Sequence, residues 1–431
     1  MNQEKIGAFL ARLRREKGYT QREVANRLEL SEKTISKWEC GKGLPEVVYM
    51  EPLSSLLGIS VNELLAGERI PILELIRKMD ETRIELITQL SFEQLKLRLL
   101  KLYGMDVDSV EISGYGAGSL TYFVACRGRK YVVKYPSENE MNHPETEPEV
   151  CAHLLKKGIP VCRFVENRQG NVISVDENGR RFHVQHFIEG TVYDYHQAPR
   201  WLMGESARML AKIHRALKDR EDLPVGIGAD FFRYRTPGAA LARYPDTLQK
   251  AVANGDFRIA EEIRSNMRIL EHLPPYKFEV DRFTCTNTHG DFMITQLICG
   301  ENGIRSVIDW TTACVHPVVW EIIRSYVYSS PLCVNGEIDI PDFLEYVRIY
   351  LEDGELNSYD LENMAPMFFC FTAVCDFYGQ YYDSLTKNRV IYLQQAQLAS
   401  RLLRWFDVHV EELRRALQGL AAENEKRRQN G

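Results

Sequence analysis

The hydrophobic pattern changes period near Ser91, and that change restricts the chain to a multidomain fold. Before it, apolar residues recur at helical spacing: Ile6, Phe9, Leu10 and Leu13, then Val24, Ala25 and Leu28. After it, short strand-like runs such as VEIS, TYFVACRG and KYVVKYP follow a helical stretch, FEQLKLRLLKLYG. The 431 residues exceed one compact core and imply two or three domains. No apolar run has the length to span a bilayer, and the first residues, MNQEKIGAFLARLRREKG, are too charged for a secretory segment. A cytoplasmic protein without a membrane partner is expected. The ten cysteines form no Cys-x-x-Cys pair and no Cys/His cluster of zinc spacing, so they are read as reduced, partly buried thiols.

Charge is unevenly spread. Residues 1–45 carry ten Lys/Arg against six Asp/Glu, a balance of +4 in a chain of net charge −6. The remaining residues therefore sum to −10. Only the basic end is suited to nucleic acid. There, Thr20 can cap a helix with Glu23 as its capping-box partner, and Ser31 can cap another over Glu32–Glu39, stopped by Gly41. Few residues join the two, which is helix-turn-helix spacing. Further helices are expected around 46–57 and from Ser60 to Leu65.

The segments TQREVANRL, LSEKTISKWECGKGLP and GISVNELL resemble the phage-repressor-like helix-turn-helix of the xenobiotic-response-element type. That resemblance implies an operator-DNA partner, with Glu32, Lys33 and Lys37 facing base edges. It implies that Gln21, Thr34 and Ser36 position the DNA backbone. Ile35 and Trp38 have the spacing of core residues. Residues 69–90 read as a helical linker. Its apolar positions Ile72, Ile76, Met79, Leu86 and Leu90, interrupted by Arg83, fit two arrangements: a coiled-coil seam in a homodimer, or an amphipathic helix packed on the next domain.

In the remaining chain, Gly114–Ser119 (GYGAGS) lies between the first two expected strands, where glycines let backbone N–H groups approach phosphates. Gly116, Gly118 and Ser119 are the candidates there. Lys134 ends the run YVVK, and a strand lysine after a glycine-rich turn contacts α- and β-phosphates in kinases. A helix starts near Glu147-Pro148. Glu147 is chosen as the partner of Lys134, with Glu149 also in reach. The segment VQHFIEG reads as a buried strand running into a loop; in a two-lobed kinase this is where the lobes join, and by that likeness backbone groups at His186 and Ile188 would meet the adenine. His214, within an apolar stripe, reads as a packed structural histidine.

Asp291 follows His-Gly, and Asp309 lies 18 residues later at the end of Ser306–Ile308. A hairpin around Gly300–Gly303, with strands over Gln296–Cys299 and Ser306–Ile308, would bring the two carboxylates to one mouth. Asp291 can accept a hydrogen bond from an acceptor hydroxyl, and Asp309 can hold magnesium, a hard cation.

HGDFMITQ and VIDW, with the glycine-rich loop, Lys134 and Glu147 in that order, resemble the aminoglycoside phosphotransferase and homoserine/choline kinase-like superfamily over roughly residues 91–415. The expected fold is multidomain: an all-α helix-turn-helix domain over 1–68 plus an α+β two-lobed protein-kinase-like domain over 91–431. The latter would have an antiparallel-sheet N-lobe (about 91–188) and a mainly helical C-lobe (about 189–420). The resemblance implies transfer of a phosphoryl group from ATP or GTP, with Mg2+, to a small-molecule hydroxyl acceptor. Asp291 would be the catalytic base or hydroxyl orienter, Asp309 and Gln296 the metal ligands, and His289 a brace of the loop. Two departures stand out. Gln296 replaces the usual asparagine and is longer by about 1.5 Å. After Pro317, Glu321 takes the place of an aspartate, with a structural role. In the superfamily the aromatic-rich C-terminal helices form the acceptor pocket, and Asp376, Asp383 and Glu321 are the acids that could attract an amine there. The alternative to an enzyme is a transcriptional regulator whose kinase-like domain senses a ligand or nucleotide without turning it over.

Overall fold

The computed structural model describes residues 3–28, 30–69, 92–113, 119–136, 145–220, 222–301, 303–384 and 389–430. The glycine-rich loop with Gly116 and Gly118, and linker residues 70–90, lie outside the described residues. The chain forms two compact units, Met1–Ile84 and Glu85–Gly431.

The first unit is all helical: α1 (Gln3–Glu16), α2 (Gln21–Arg27), α3 (Glu32–Glu39), α4 (Val47–Leu57) and α5 (Val61–Ala66). Thr20 accepts the Glu23 N–H at 3.1 Å, and Glu23 accepts the Thr20 N–H at 2.7 Å, so the start of α2 is held reciprocally. Ser31 accepts the Thr34 N–H at 3.2 Å and starts α3. Ile35 and Trp38 are buried with Phe9, Leu10, Val24 and Leu57, while Glu32, Lys33 and Lys37 are exposed. A Cβ on Gly7 would come within 2.4 Å of the Trp38 carbonyl oxygen, so α1 lies directly on α3. Arg14 grips Glu39 through two nitrogens at 2.6 and 2.8 Å.

The second unit opens with helix α6 (residues 92–103). An antiparallel sheet follows: β1 (Ser109–Ile112), β2 (Leu120–Cys126), β3 (Arg129–Tyr135), β4 (Phe164–Val165), β5 (Ile173–Val175) and β6 (Arg181–His186), ordered β1-β2-β3-β6-β4 with β5 also on β6. Arg127 and Gly128, both at positive φ, make the two-residue turn between β2 and β3. Alternation along the strands decides everything that follows. Val133 pairs with Val184, and these join Leu95 and Leu99 of α6 in one core. The next rung pairs Lys134 with His183, whose side chains leave on the opposite face. Helix α7 (Thr146–Lys156) presents a buried stripe of Glu147, Val150, Cys151 and Leu154.

The rest is mainly helical: α8 (Arg200–Leu217), α9 (Ala229–Tyr234), α10 (Pro237–Ala253), α11 (Phe257–His272), α12 (Val318–Ser329), α13 (Ile340–Tyr350), α14 (Ser358–Val374), α15 (Phe377–Asp383) and α16 (Arg389–Asn430). Between α11 and α12 lie β7 (Cys285–Thr288), β8 (Leu297–Gly300), β9 (Gly303–Val307) and β10 (Cys314–Pro317). β7 pairs with β10, and β8 with β9, both antiparallel. The expected hairpin is therefore present, with two corrections at its ends. Gln296 belongs to a 3-10 turn closed by its N–H on the Met293 carbonyl at 3.0 Å, not to a strand. Ile308 has left the strand, and its N–H donates to the Gln296 carbonyl at 3.0 Å.

Trp38 is the largest side chain buried between α1 and α3. Trp38→Ala is expected to destabilise the first unit by about 3–5 kcal/mol, read as faster amide hydrogen exchange across residues 3–66.

Candidate active site

A buried carboxylate organises the sheet side of the site. Lys134 Nζ lies 3.2 Å from Glu147 Oε2, and His183 Nε2 lies 3.1 Å from the same oxygen. The Trp310 backbone N–H donates to Glu147 Oε1 at 3.3 Å. Burial pushes the Glu147 carboxyl upward, but Lys134 and His183 win and hold it well below the ordinary carboxylate range. Of the two glutamates in reach by sequence, Glu147 is the partner. Glu149, two residues on, points to solvent because a helix turns about 100° per residue.

Lys134 has a second partner, Asp309 Oδ1 at 2.6 Å. Asp309 sits at φ 65°, ψ 65°, in the left-handed region, which costs most L-residues about 1–2 kcal/mol and which aspartate tolerates better than most. The bend turns the chain out of β9 and leads its carboxylate to Lys134. Thr311 Oγ1 donates to Asp309 Oδ1 at 2.9 Å and fixes that oxygen.

His289 links the two aspartates. Its Nε2 lies 2.9 Å from the Ile308 carbonyl, which can only accept, so Nε2 carries the proton. Its Nδ1 accepts the Asp291 N–H at 3.3 Å. The residue before Asp291, Gly290, has φ 80°, and a Cβ there would lie 1.9 Å from the Thr312 carbonyl oxygen. Only glycine fits the His-Gly-Asp turn.

Behind the turn, Glu321 accepts the Phe292 N–H on Oε1 at 3.3 Å and meets His214 Nε2 with Oε2 at 2.9 Å. His214 Nδ1 lies 2.8 Å from Tyr350 Oη, so this histidine is a packed structural group. Burial raises the Glu321 carboxyl most strongly of any single cause, but the bond from His214 together with the charges of His214, His289 and His316 outweighs it and brings it down to about 2.

Asp291 itself is partly exposed. Its Oδ1 pairs with Arg324 at 2.5 Å, and the Gln296 side-chain amide donates to Oδ2 at 3.3 Å. Burial raises its carboxyl above the usual value, and Arg324 opposes that shift. Lys134, Glu147, Asp309, His289, Asp291 and Gln296 thus form one connected cluster.

Other expected site residues stand differently. The His186 N–H is committed to the Arg163 carbonyl at 2.9 Å, because β6 still pairs there. The backbone N–H of Ile188, beyond the strand, makes no backbone hydrogen bond among the described residues. Ser119 directly precedes β2. In the first unit, the Gln21 side-chain amide donates to Glu39 Oε2 at 2.8 Å, which leaves its second N–H and its carbonyl for another partner. Thr34 Oγ1 shares a hydrogen bond with Ser31 Oγ at 2.9 Å, and Ser36 is half-buried. Each of the three acids considered for an amine already has a partner within the protein. Glu321 is buried behind the turn, Asp376 accepts from Thr247 Oγ1 at 2.5 Å and caps α15, and Asp383 pairs with Lys250 at 2.5 Å.

Two participants escaped the sequence reading. His183 is recognisable only through its register opposite Lys134. Arg324 had a visible signal, the four-residue spacing Trp320–Arg324–Tyr328 on α12, but its partner Asp291 is 33 residues away in sequence.

Asp309 and Gln296 offer oxygen ligands beside a lysine. Few protein ligands suit magnesium, which takes one or two carboxylates and completes its shell with water and substrate phosphates. Among the described residues no cluster of three or more His, Cys, Asp or Glu could hold a metal by itself.

Comparison with known proteins agrees with this geometry. Residues 111–355 match the phosphotransferase enzyme family, and residues 5–66 match a helix-turn-helix domain. The transcriptional activator BcrR of Enterococcus faecalis is 39% identical over 61 residues, 14% of this chain and 30% of that protein. The uncharacterised regulator y4dJ of Sinorhizobium fredii is 43% identical over 60 residues, 14% of this chain and 78% of that protein. Among solved structures, spectinomycin phosphotransferase bound to AMP superposes with a TM-score of 0.51 at 14% identity, covering 75% of this chain and 97% of its own. An amicoumacin kinase in complex with AMP-PNP, Ca2+ and Ami gives 0.50 at 12%, covering 76% and 95%. These structural likenesses establish the fold of the second unit, a kinase-like arrangement of an antiparallel sheet and a helical lobe.

Glu321→Ala would leave His214 and the Phe292 N–H without their acceptor and is expected to cost about 3–5 kcal/mol. A carboxyl depressed to about 2 stabilises fully above its unfolded value, and that contribution fades as pH falls from there towards about 2. Urea midpoints of the wild type and of Glu321→Gln, compared across that range, would check the sign, since the variant lacks this acid dependence.

Proposed function

Because the chain belongs to the phosphotransferase enzyme family through residues 111–355, we propose that it transfers the γ-phosphoryl group of ATP or GTP to a hydroxyl of a small molecule. We further propose that residues 1–68 are its DNA-binding domain, 69–90 a linker and 91–431 the phosphotransferase domain. The observation that carries the reading is the link from Lys134 through Asp309, Ile308 and His289 to Asp291. It supports the reading because a cation suited to phosphate and a carboxylate suited to a hydroxyl share one frame. Such transfer needs positioning and charge stabilisation more than covalent chemistry.

In this reading Lys134 binds the phosphates, with Glu147 and His183 fixing where its ammonium sits. Gly116, Gly118 and Ser119 cradle the phosphates, and the backbone at His186 and Ile188 borders the base, Ile188 having the unused N–H. Asp309, with the Gln296 amide oxygen, would hold Mg2+, which when bound neutralises phosphate charge. Asp291 accepts a hydrogen bond from the acceptor hydroxyl and takes its proton as the phosphoryl group leaves the nucleotide. Its partner Arg324 keeps the carboxylate ionised and turned to one side. His289 does no proton transfer, since both its nitrogens are occupied holding the loop.

The helical unit would bind operator DNA through the exposed Glu32, Lys33 and Lys37, with Gln21, Thr34 and Ser36 against the phosphodiester backbone. A homodimer reading two half-sites would supply the affinity that one such module lacks. Cytoplasmic residence is consistent with the lack, among the described residues, of any helix long and apolar enough to cross a membrane. One observation favours a second reading. The Gln296 side-chain N–H and Arg324 occupy both oxygens of Asp291, which suits a domain that binds nucleotide and ligand as a sensor, without transfer.

Asp291→Asn is expected to lower transfer by 10²-fold or more and to leave nucleotide binding intact by calorimetry. Wild-type binding of Mg-ATP and Mg-GTP without turnover of any hydroxyl acceptor would select the sensor. Since Asp291 acts ionised and burial raises its carboxyl, kcat/KM should fall on the acid side at a pH above the ordinary aspartate value of about 3.9. Lys37→Ala is expected to cost about 1–3 kcal/mol of discrimination at one base pair, measured by competition binding against operator variants at fixed salt.

A further inference from the structure

Helix α12 carries Trp320, Arg324 and Tyr328 at four-residue intervals, on one face. The Arg324 guanidinium lies over both rings, 5.3 Å from the Trp320 centroid and 5.0 Å from that of Tyr328. All three line a cavity of about 170 Å3, whose other walls include Phe371 of α14 and Gln395 of α16. Among the described residues that line it, Arg324 is the one charged residue and none is a carboxylate.

Two donors on this wall have no acceptor. Trp320 Nε1 and Arg324 Nη1 are buried without a hydrogen-bond partner, and Trp320 is only 5% exposed. Buried donors left unsatisfied are rare and costly, so their persistence asks for an acceptor that arrives from outside. The other end of the same guanidinium holds Asp291 through Nη2 at 2.5 Å. Whatever binds Arg324 from the cavity side is therefore one guanidinium away from the carboxylate assigned to the acceptor hydroxyl.

We propose that this cavity is the acceptor subsite and that it selects a hydroxy acid with an apolar or aromatic body, its carboxylate held by Arg324 and Trp320. The proposal rests on the phosphotransferase reading for the role of Asp291. The planar fork of arginine can serve two carboxylates at once, one protein and one ligand. The aromatic walls take the body of the ligand. A polycationic acceptor finds no anion here and meets a buried arginine instead. This differs from a pocket that recognises amines, and it follows from where Asp376, Asp383 and Glu321 are tied up.

The test uses the full chain and three matched probes that share one hydroxyl and one phenyl ring: 3-phenyllactate, its amide, and phenylalaninol. Calorimetric titrations are run with and without Mg-AMP-PNP. The expected result is phenyllactate binding at least tenfold tighter than phenylalaninol, with the amide between. Arg324→Met should erase that order. Trp320→Phe keeps a smaller aromatic face and removes the N–H, so it should weaken phenyllactate severalfold more than it weakens phenylalaninol. Phenylalaninol binding as tightly as phenyllactate, or no binding of any probe, overturns the proposal. Phenyllactate binding by a chain that takes up no nucleotide leaves the pocket standing and overturns phosphoryl transfer instead.

Discussion

The site depends on Glu147, a carboxylate removed from water and held on three sides. Lys134 and His183 come from adjacent strands of one sheet, and the Trp310 N–H comes from the segment just after Asp309. One side chain of α7 thereby joins the sheet to the loop that carries the second aspartate. A buried ion pair adds little net stability, because desolvation offsets most of its attraction. Its value here is geometric. Lys134 cannot leave Glu147 without stranding a charge, so its ammonium has one position, and in that position it also meets Asp309.

The second aspartate of the pair is held by a different logic. Asp291 lies in a turn that Gly290 alone can make, and two buried groups fix that turn from behind. His289 ties it to Ile308, and Glu321 ties it to α12 through the Phe292 N–H. With the backbone immobilised, the carboxylate is left to Arg324 and Gln296. The ring stacking that holds Arg324 then sets the direction in which Asp291 points. The Asp291 turn and the aromatic cavity share helix α12 through Glu321 and Arg324, so the shape of one is coupled to the other.

Gln296 shows how a one-carbon change in a side chain alters a site without deleting it. The residue keeps its place in the 3-10 turn and its carbonyl bond to Ile308. The longer arm brings its amide to Asp291. Its two ends do different things: the N–H donates to Asp291, and the oxygen is left to another partner.

Much was legible in the sequence because it was local. The caps at Thr20 and Ser31, the helical stripes of the first unit and the hairpin around 300–303 each depend on neighbours a few residues away. The ordered motifs carried the fold class of the second unit. What the sequence left open was contact between distant segments. Glu147 and Glu149 were equally near Lys134 along the chain, and only the buried face of α7 separates them. His183 follows from strand register, Arg324 from the way α12 packs beneath the catalytic turn. The acids at 321, 376 and 383 were free to be recognition groups until packing gave each a partner. Residue type and spacing thus determined which chemistry the chain can hold. Tertiary structure alone decided which charges face one another, because Coulombic and hydrogen-bonding partners are set by distance in space, and the chain brings residues 134, 147, 183 and 309 together from four separate elements.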